Sequence, residues 1–411
     1  MVLSNLPDVS GRNIAMHVKP AAERAIRNGH PWLYEDAIRK QSKEGQPGDI
    51  AVIYSKRDKF MAVGLYDPDS PIRVKILHQG SPARINSDFF REKLQSAFKH
   101  RAGISDTDTT GYRLIYGEGD GMPGFILDRY ADVLVLKLYT AAWLPHLNTI
   151  LSELNTLLPD KTIVLRLSRV MQQGDSFGLS DGMMLQGKLA SSDVPFREYG
   201  LNFVADVIDG HKTGFFFDQR ENRRRVRDLA RDKTVLDVFS YNGGFSVNAA
   251  AGGATRVLSL DISVAALQSA QDNMQLNAHL PAVQKCQHEI LAGDAFEAMA
   301  QLAAQHRQFE MVIVDPPTFA GKQAQVAGAM KAYARLVELS LALLASGGTL
   351  VMASCSSRIP AADFFNLVHQ TALAAGRPLQ EIERTQHAID HPVLETFPEG
   401  AYLKCLFSIV P

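Results

Sequence analysis

An acidic diproline turn and a cysteine stand forty residues apart in this chain, each directly after an apolar run: MVIVDPPTFA over 311–320 and LVMASCSSRI over 350–359. A thiolate at such a place is a nucleophile toward carbon. The C5 position of a cytosine ring is too weakly nucleophilic to accept a methyl group unaided, and addition of a thiolate at C6 turns C5 into an enamine-like carbon that can. Two prolines fix the backbone direction after the strand, so Asp315 and the carbonyls near it are expected to point into a cleft that can hold a flat base. Cys355 is the expected nucleophile, Asp315 its catalytic neighbour, and Pro316, Pro317 and Phe319 the expected lining of the base site, with Phe319 placed to stack on a flipped base. Arg358, three residues on, could favour the thiolate. The bland alternative is a buried apolar cysteine, which suits Cys286, just before a strand, and Cys405, inside the last one.

These two turns need a sheet to hold them. From about Tyr199 onward, the apolar runs TVLDVFS, ATRVLSLDIS, QHEILAGDA, FEMVIVDPP, GGTLVMASC and AYLKCLFSIV alternate with helical stretches. Near-continuous apolar strands joined by helices predict an α/β fold with a doubly wound, mostly parallel sheet, whose ligands bind beyond the carboxyl ends of the strands. The first strand ends in LDVFSYNGGFS (236–246), where Ser240, Asn242, Gly243 and Gly244 form a turn that lets a ligand pass close to the backbone. The spacing is not GxGxxG and no basic residue follows, which disfavours a dinucleotide. Asp261, at the end of the second strand, can accept ribose hydroxyls. Asp294, at the end of the third, can accept from an adenine amino group or simply cap a helix. Taken in order, and followed by Asp-Pro-Pro, these residues point to S-adenosylmethionine as cofactor.

The bulk properties set the frame. A chain of 411 residues, 46% hydrophobic and 21% charged, predicts a soluble globular protein of two or three domains. The longest apolar stretch, from Leu336, is interrupted by Glu338, Gly347 and Gly348 and reads as helix, turn and strand rather than a membrane span. No signal-peptide core is expected in MVLSNLPDVS, and three cysteines fit a reducing cytoplasm better than a disulfide framework. A net charge of -1 gives no support for nucleic-acid binding, and the 13 Lys and Arg against 9 Asp and Glu of residues 1–85 are only a small local surplus. Residues 14–85 read as short strands punctuated by glycine and proline, a small β-barrel. Residues 86–196 read as a compact α+β domain, with GEGDGMPG as a hairpin turn and a helix from Trp143 to Leu157, and residues 197–411 carry the doubly wound sheet. In DGHKTGFFFDQRENRRRVR (209–227), the phenylalanines could close over the cofactor or pack a core, and Arg223, Arg224, Arg225 and Arg227 could contact phosphates or form a solvated face. His387 and His391 have i, i+4 spacing, but Pro392 interrupts it, so no metal site is expected; a loop lining the base pocket is the better reading of that segment.

The ordered set HPW (30–32), GDGMPG (119–124), HKTGFFFDQR (211–220), FSYNGGF (239–245), VDPPTF (314–319), SCS (354–356), HPV (391–393) and FPEGAYLK (397–404) resembles the RlmI-type 23S ribosomal RNA (cytosine-5) methyltransferases over nearly the whole chain. The resemblance implies an N-terminal PUA β-barrel that binds RNA, a small central α+β domain and a C-terminal Rossmann-like, S-adenosylmethionine-dependent domain. It implies that Cys355 is the nucleophile and that Phe217, Asp218, Gln219, Asn242, Asp261, Asp294 and Asp315 lie around the cofactor or base. It also implies large-subunit ribosomal RNA as partner, a cytoplasmic location, no membrane association, and a possible homodimer. The wider cytosine-5 RNA enzymes often carry a second cysteine after the diproline; here Thr318 stands there, the RlmI-type proteins also lack that cysteine, and the group that removes the C5 proton stays open. Two rival readings are methylation of a guanine nitrogen, which needs no thiol, and an RNA-binding ribosome-assembly factor without activity.

Overall fold

The computed structural model describes residues 3–8, 11, 13–174 and 177–411. They divide into two compact units, one of Met1–Arg197, Ala205–Phe217 and Ile389–Gly400, the other of Glu198–Val204, Asp218–Ala388 and Ala401–Pro411.

The first unit contains two sheets. Strands β1 (Ile14–Val18), β2 (Trp32–Tyr34), β3 (Ile38–Gln41), β4 (Ile50–Tyr54), β5 (Phe60–Tyr66) and β6 (Ile72–Gln79), with helix α1 (Pro20–Arg27), form a six-stranded sheet in the order β2-β6-β5-β4-β1-β3. Alternation in β1 and β4 turns Ile14, Met16, Val18, Ala51 and Ile53 into one core. The edge strand β3, IRKQ, carries no such alternation, and its sequence does not announce it. Next come α2 (Ser87–His100), β7 (Gly111–Tyr116), β8 (Phe125–Tyr130), β9 (Val133–Leu138), α3 (Leu147–Leu157), β10 (Thr162–Leu167), α4 (Arg169–Gln173) and β11 (Met184–Gln186), whose strands make a sheet in the order β11-β10-β9-β8-β7. The helix expected from Trp143 begins only at Leu147: residues Ala141–His146 form a 3-10 turn containing Pro145, which cannot donate to an α-helical ladder. GEGDGMPG joins the antiparallel β7 and β8, and the Asp120 carboxylate is gripped by the Arg101 guanidinium at 2.8 and 2.7 Å.

Three motifs distant in sequence meet inside this unit. The Trp32 ring lies 4.5 Å from that of Phe397, and its indole N–H donates to Glu118 at 2.9 Å. Phe215 and Phe217 pack on Phe196, and Phe217 also on Tyr130 at 4.9 Å between centroids. The FFF run is therefore core at these two positions.

A short pair, β12 (Asp193–Glu198) and β13 (Leu201–Asp206), precedes α5 (Arg220–Leu229). The second unit continues with β14 (Thr234–Val238), α6 (Gly244–Ala251), β15 (Arg256–Asp261), α7 (Val264–Leu276), α8 (Pro281–Lys285), β16 (Gln287–Ala292), α9 (Ala295–Ala304), β17 (Phe309–Val314), α10 (Val326–Leu343), β18 (Leu344–Ser354), α11 (Ala361–Ala374), β19 (Gln380–Thr385) and β20 (Lys404–Ile409). Its seven strands run β16-β15-β14-β17-β18-β20-β19, parallel as far as β18, with β20 antiparallel to both neighbours. Leu236, Val238, Leu258, Leu260, Val312, Val314, Leu350 and Met352 form one face, packed with residues of α9, α10 and α11. The alternate residues, among them Asp237 and Ser259, face the other way, toward Ser246 of α6.

Of the α5 arginines, read from sequence as a solvated face or as a phosphate-contacting row, Arg223 is buried and Arg225 and Arg227 are engaged within the second unit, while Arg224 is exposed. Arg223 and Glu198 are 3% and 1% exposed and joined at 2.7 and 2.5 Å. Arg225 pairs with Glu383, Arg227 donates to the Tyr199 carbonyl at 3.1 Å, and the exposed Arg224 lies 4.7 Å over the Tyr199 ring. Arg223→Met leaves the Glu198 carboxylate buried without its guanidinium and is expected to cost about 3–5 kcal/mol, whereas Arg224→Ala should cost no more than about 1 kcal/mol. Urea denaturation of the two variants side by side checks the difference.

Candidate active site

The turn after β14 is the most constrained backbone of the second unit. Phe239 (φ 62°), Tyr241 (φ 48°) and Gly243 (φ 79°) are all left-handed, a conformation that costs a non-glycine residue about 1 kcal/mol or more. The surroundings hold it: Ser240 N–H donates to the Leu260 carbonyl at 3.1 Å, Tyr241 N–H to Asp261 Oδ2 at 2.9 Å, and Asn273 Nδ2 to the Asn242 carbonyl at 2.9 Å. Gly243 is demanded twice, since a Cβ there would also stand 2.7 Å from the Cβ of Ala270 on α7. Gly244 opens α6 directly behind it.

Asp261 is half-exposed, and its second oxygen accepts from Ser263 N–H at 2.9 Å. Asp294 is exposed, and its Oδ1 caps α9 by accepting from the Phe296 and Glu297 amides. Asp237, which sequence reading took only as part of the strand, is fully buried. Its Oδ2 accepts from Ser246 Oγ at 2.6 Å, and the bond network continues through Ser259 to His288. Among the described residues, its Oδ1 and the buried Ser240 Oγ have no hydrogen-bond partner. Burial, with the Asp315 charge adding to it, pushes the Asp237 carboxyl up to about 7. An apolar-looking run with one aspartate in it gave no sign of this; only the strand-to-helix packing reveals it.

On the other side of the turn, β17 and β18 pair in parallel with Val314 opposite Met352, so the Asp-Pro-Pro turn and Cys355 emerge side by side. Asp315 Oδ1 accepts from Gln219 Nε2 at 2.9 Å, Gln219 Oε1 from Asn222 at 2.5 Å, and Asn222 in turn from the Thr385 hydroxyl. Asp218 accepts from the Tyr402 hydroxyl at 2.7 Å. The sulfur of the partly exposed Cys355 lies 3.1 Å from Thr318 Oγ1 and 3.7 Å from the Pro316 carbonyl. Pro317 is exposed, Pro316 is buried, and Phe319 rests on Tyr333 at 5.1 Å between centroids.

Two expectations change. Of the two readings of the FFF run, the Phe217 ring takes the core one: it is 1% exposed and packed against Tyr130, Phe196 and Phe215. Arg358 is exposed, and the buried cation beside the cysteine turn is Lys404, which the sequence reading passed over. Burial pushes the Cys286 thiol up to about 11 and the Cys405 thiol well above its ordinary range, so neither is a nucleophile at neutral pH. His387, in the second unit, accepts from Leu403 N–H at 3.2 Å, while His391, in the first, lies 4.9 Å from the Tyr116 ring.

Residues 180–407 match the model of the S-adenosylmethionine-dependent methyltransferases. The chain belongs to that family. A PUA-like domain matches residues 16–79. Among relatives of this methyltransferase, a Deinococcus radiodurans protein named ribosomal RNA large subunit methyltransferase is 45% identical, covering 98% of each chain. The Serratia proteamaculans ribosomal RNA large subunit methyltransferase I is 34% identical over 95% of this chain and 98% of its own. A Streptococcus mutans protein assigned to the SAM-dependent methyltransferases shares the fold, with a TM-score of 0.81 at 22% identity over 96% of this chain and 100% of that one. A second solved structure, in complex with SAH, gives 0.82 at 22% identity over 97% and 100%.

S-adenosylmethionine is the cofactor of this methyltransferase, and the residues present fit it. The orphaned Asp237 and Ser240 oxygens beneath the turn would serve a cationic, hydrogen-bond-donating ligand, and Asp261 at the next strand end would accept from a ribose. Gly243→Ala is expected to abolish saturable S-adenosylmethionine binding in calorimetry while the protein stays folded.

The raised Asp237 carboxyl also has a consequence for the unliganded protein. The folded state holds this proton to about pH 7 against an ordinary value of 3.8. The stability it contributes is complete below 3.8 and is lost as pH rises through about 7, on the order of 4 kcal/mol in all. Unfolding free energies measured from pH 5 to pH 8 should fall for the wild type and fall less for Asp237→Asn; equal slopes would contradict the assignment.

Proposed function

We propose that this methyltransferase forms 5-methylcytosine in large-subunit ribosomal RNA through a covalent adduct of Cys355. The observation that carries the reading is a partly exposed thiol in contact with the Asp-Pro-Pro turn, with Thr318 Oγ1 at 3.1 Å and the Pro316 carbonyl at 3.7 Å from its sulfur. The names borne by the Deinococcus and Serratia relatives support the RNA as substrate. The bound cofactor supplies an electrophilic methyl carbon on a sulfonium sulfur. Cys355 adds as thiolate to C6 of the cytosine, and the C5–C6 π pair moves onto C5, which then attacks the methyl carbon while the old S–CH3 pair stays with the cofactor sulfur. Loss of the C5 proton to a base restores the double bond and expels the Cys355 thiolate. Asp315, held by Gln219, stands in this reading in the turn that would face the base, and Pro316, Pro317 and Phe319 are the residues expected to line it. In this reading the region 14–85 docks RNA, 86–196 sets its distance, and 197–411 performs the chemistry in the cytoplasm.

Methylation of a guanine nitrogen would need no thiol, so the cysteine separates the two reactions. Cys355→Ala is expected to bind S-adenosylmethionine with unchanged affinity and to transfer no methyl group. Mass spectrometry of ribosomal RNA from a deletion strain should show one 5-methylcytosine lost, restored by the wild-type gene and not by the variant. Turnover retained in Cys355→Ala would sink the covalent reading.

A further inference from the structure

Lys404 enters β20 directly opposite Ser354 of β18, the residue before Cys355. Its side chain is 3% exposed. The ammonium donates to the carbonyls of Ser356, of Ile359 at 2.8 Å and of Tyr402 at 3.1 Å. Two of those acceptors belong to the turn that follows Cys355, and the third to the segment leading into β20. A buried lysine with three carbonyl acceptors is placed to remain charged. Burial pushes it down to about 8, and the electrostatic pull of Cys355 opposes that push, so the ammonium persists through neutral pH, bonded to the carbonyl of the residue that follows the cysteine.

The other groups facing Cys355 do not supply this charge. From the end of β17 comes the Asp315 carboxylate, which repels a thiolate and is engaged by Gln219. From the turn after it come the Pro316 carbonyl, which accepts from the neutral thiol, and the Thr318 hydroxyl. From α10 comes Tyr333, whose phenol is kept neutral by burial and donates to Ser354 Oγ at 2.9 Å. Arg358, on the cysteine turn itself, is exposed to solvent that screens it.

We propose that Lys404 is the positioning residue of the nucleophile: its buried ammonium ties the Ser356–Ile359 turn to β20 and provides the positive charge against which the Cys355 thiolate forms. The inference rests on Cys355 as nucleophile. The role proposed for Lys404 runs through the turn that carries the cysteine, whose Ser356 and Ile359 carbonyls its ammonium holds. Thr318 Oγ1 stands 3.1 Å from the same sulfur, and either atom can donate in that contact.

The test is the pH dependence of Cys355 alkylation by iodoacetamide in the full-length protein, followed by peptide mass spectrometry so that Cys286 and Cys405 are scored separately. In the wild type, the Cys355 rate should reach half its maximum clearly below the ordinary thiol value of about 8.5. A midpoint at or above that value overturns the proposal without any variant. In Lys404→Gln, the midpoint should rise by about one pH unit or more, a roughly tenfold loss of rate at pH 7, with S-adenosylmethionine affinity unchanged and Lys404→Arg recovering part of the loss. An unchanged midpoint in a folded Lys404→Gln also overturns it. Should Cys355 alkylate at low pH while Cys355→Ala still transfers methyl groups, the covalent reading fails and the hold of Lys404 on the sulfur stands.

Discussion

The hydrogen-bond register of three adjacent strands, β17, β18 and β20, is the constraint on which the site depends. Parallel neighbours lie about 4.8 Å apart, and Val314 opposite Met352 brings the Asp-Pro-Pro turn and Cys355 out of the sheet at one level. The antiparallel β20 then sets Lys404 opposite Ser354, behind the same turn. This register is fixed by burial on both faces. Val312, Val314, Leu350 and Met352 fill one core, and a slip of one residue would exchange every side chain between faces. The chemistry is thus positioned by side chains that take no part in it.

The same sheet gathers negative charge at the carboxyl ends of its strands. Asp237, Asp261 and Asp315 stand at the ends of three consecutive strands in the sheet, and the first feels the other two strongly enough to shift further up in pKa. A sulfonium bound among them would relieve that repulsion. The left-handed Phe239 and Tyr241 carry a similar logic: backbone strain is held in place by Asp261 and Leu260, and it keeps the turn open.

Much of this was legible in the sequence because strand-end residues in α/β sheets announce themselves by position. The strands ending at Val238, Asp261, Ala292, Val314 and Ser354, the glycine turn, and the Cys355 and Asp315 pair all follow from apolar runs and what comes next. What stayed hidden depends on packing. The polar edge strands β3 and β19 have no alternation to read, Pro145 moves a helix start by four residues, and nothing in FFFDQR distinguishes Phe217, packed among aromatic rings, from Gln219, bonded to Asp315. Asp237 and Lys404 are the charged residues of otherwise uncharged strands, and only their neighbours show that one carries an orphaned oxygen and the other holds the turn after Cys355. The arginines of α5 make the converse case, where a basic run that suggests RNA is partly consumed by Glu198, Glu383 and Tyr199.

The most direct measurement is a trap of the covalent intermediate. Large-subunit ribosomal RNA carrying 5-fluorocytidine has no C5 proton to lose, so a thiol that has added to C6 cannot leave after methyl transfer. Incubation with the protein and S-adenosylmethionine should give a denaturation-resistant protein–RNA adduct, with the modified nucleotide found by peptide mass spectrometry on Cys355. Absence of an adduct under conditions where unmodified RNA is methylated, or an adduct on any other residue, would contradict the role assigned to this cysteine.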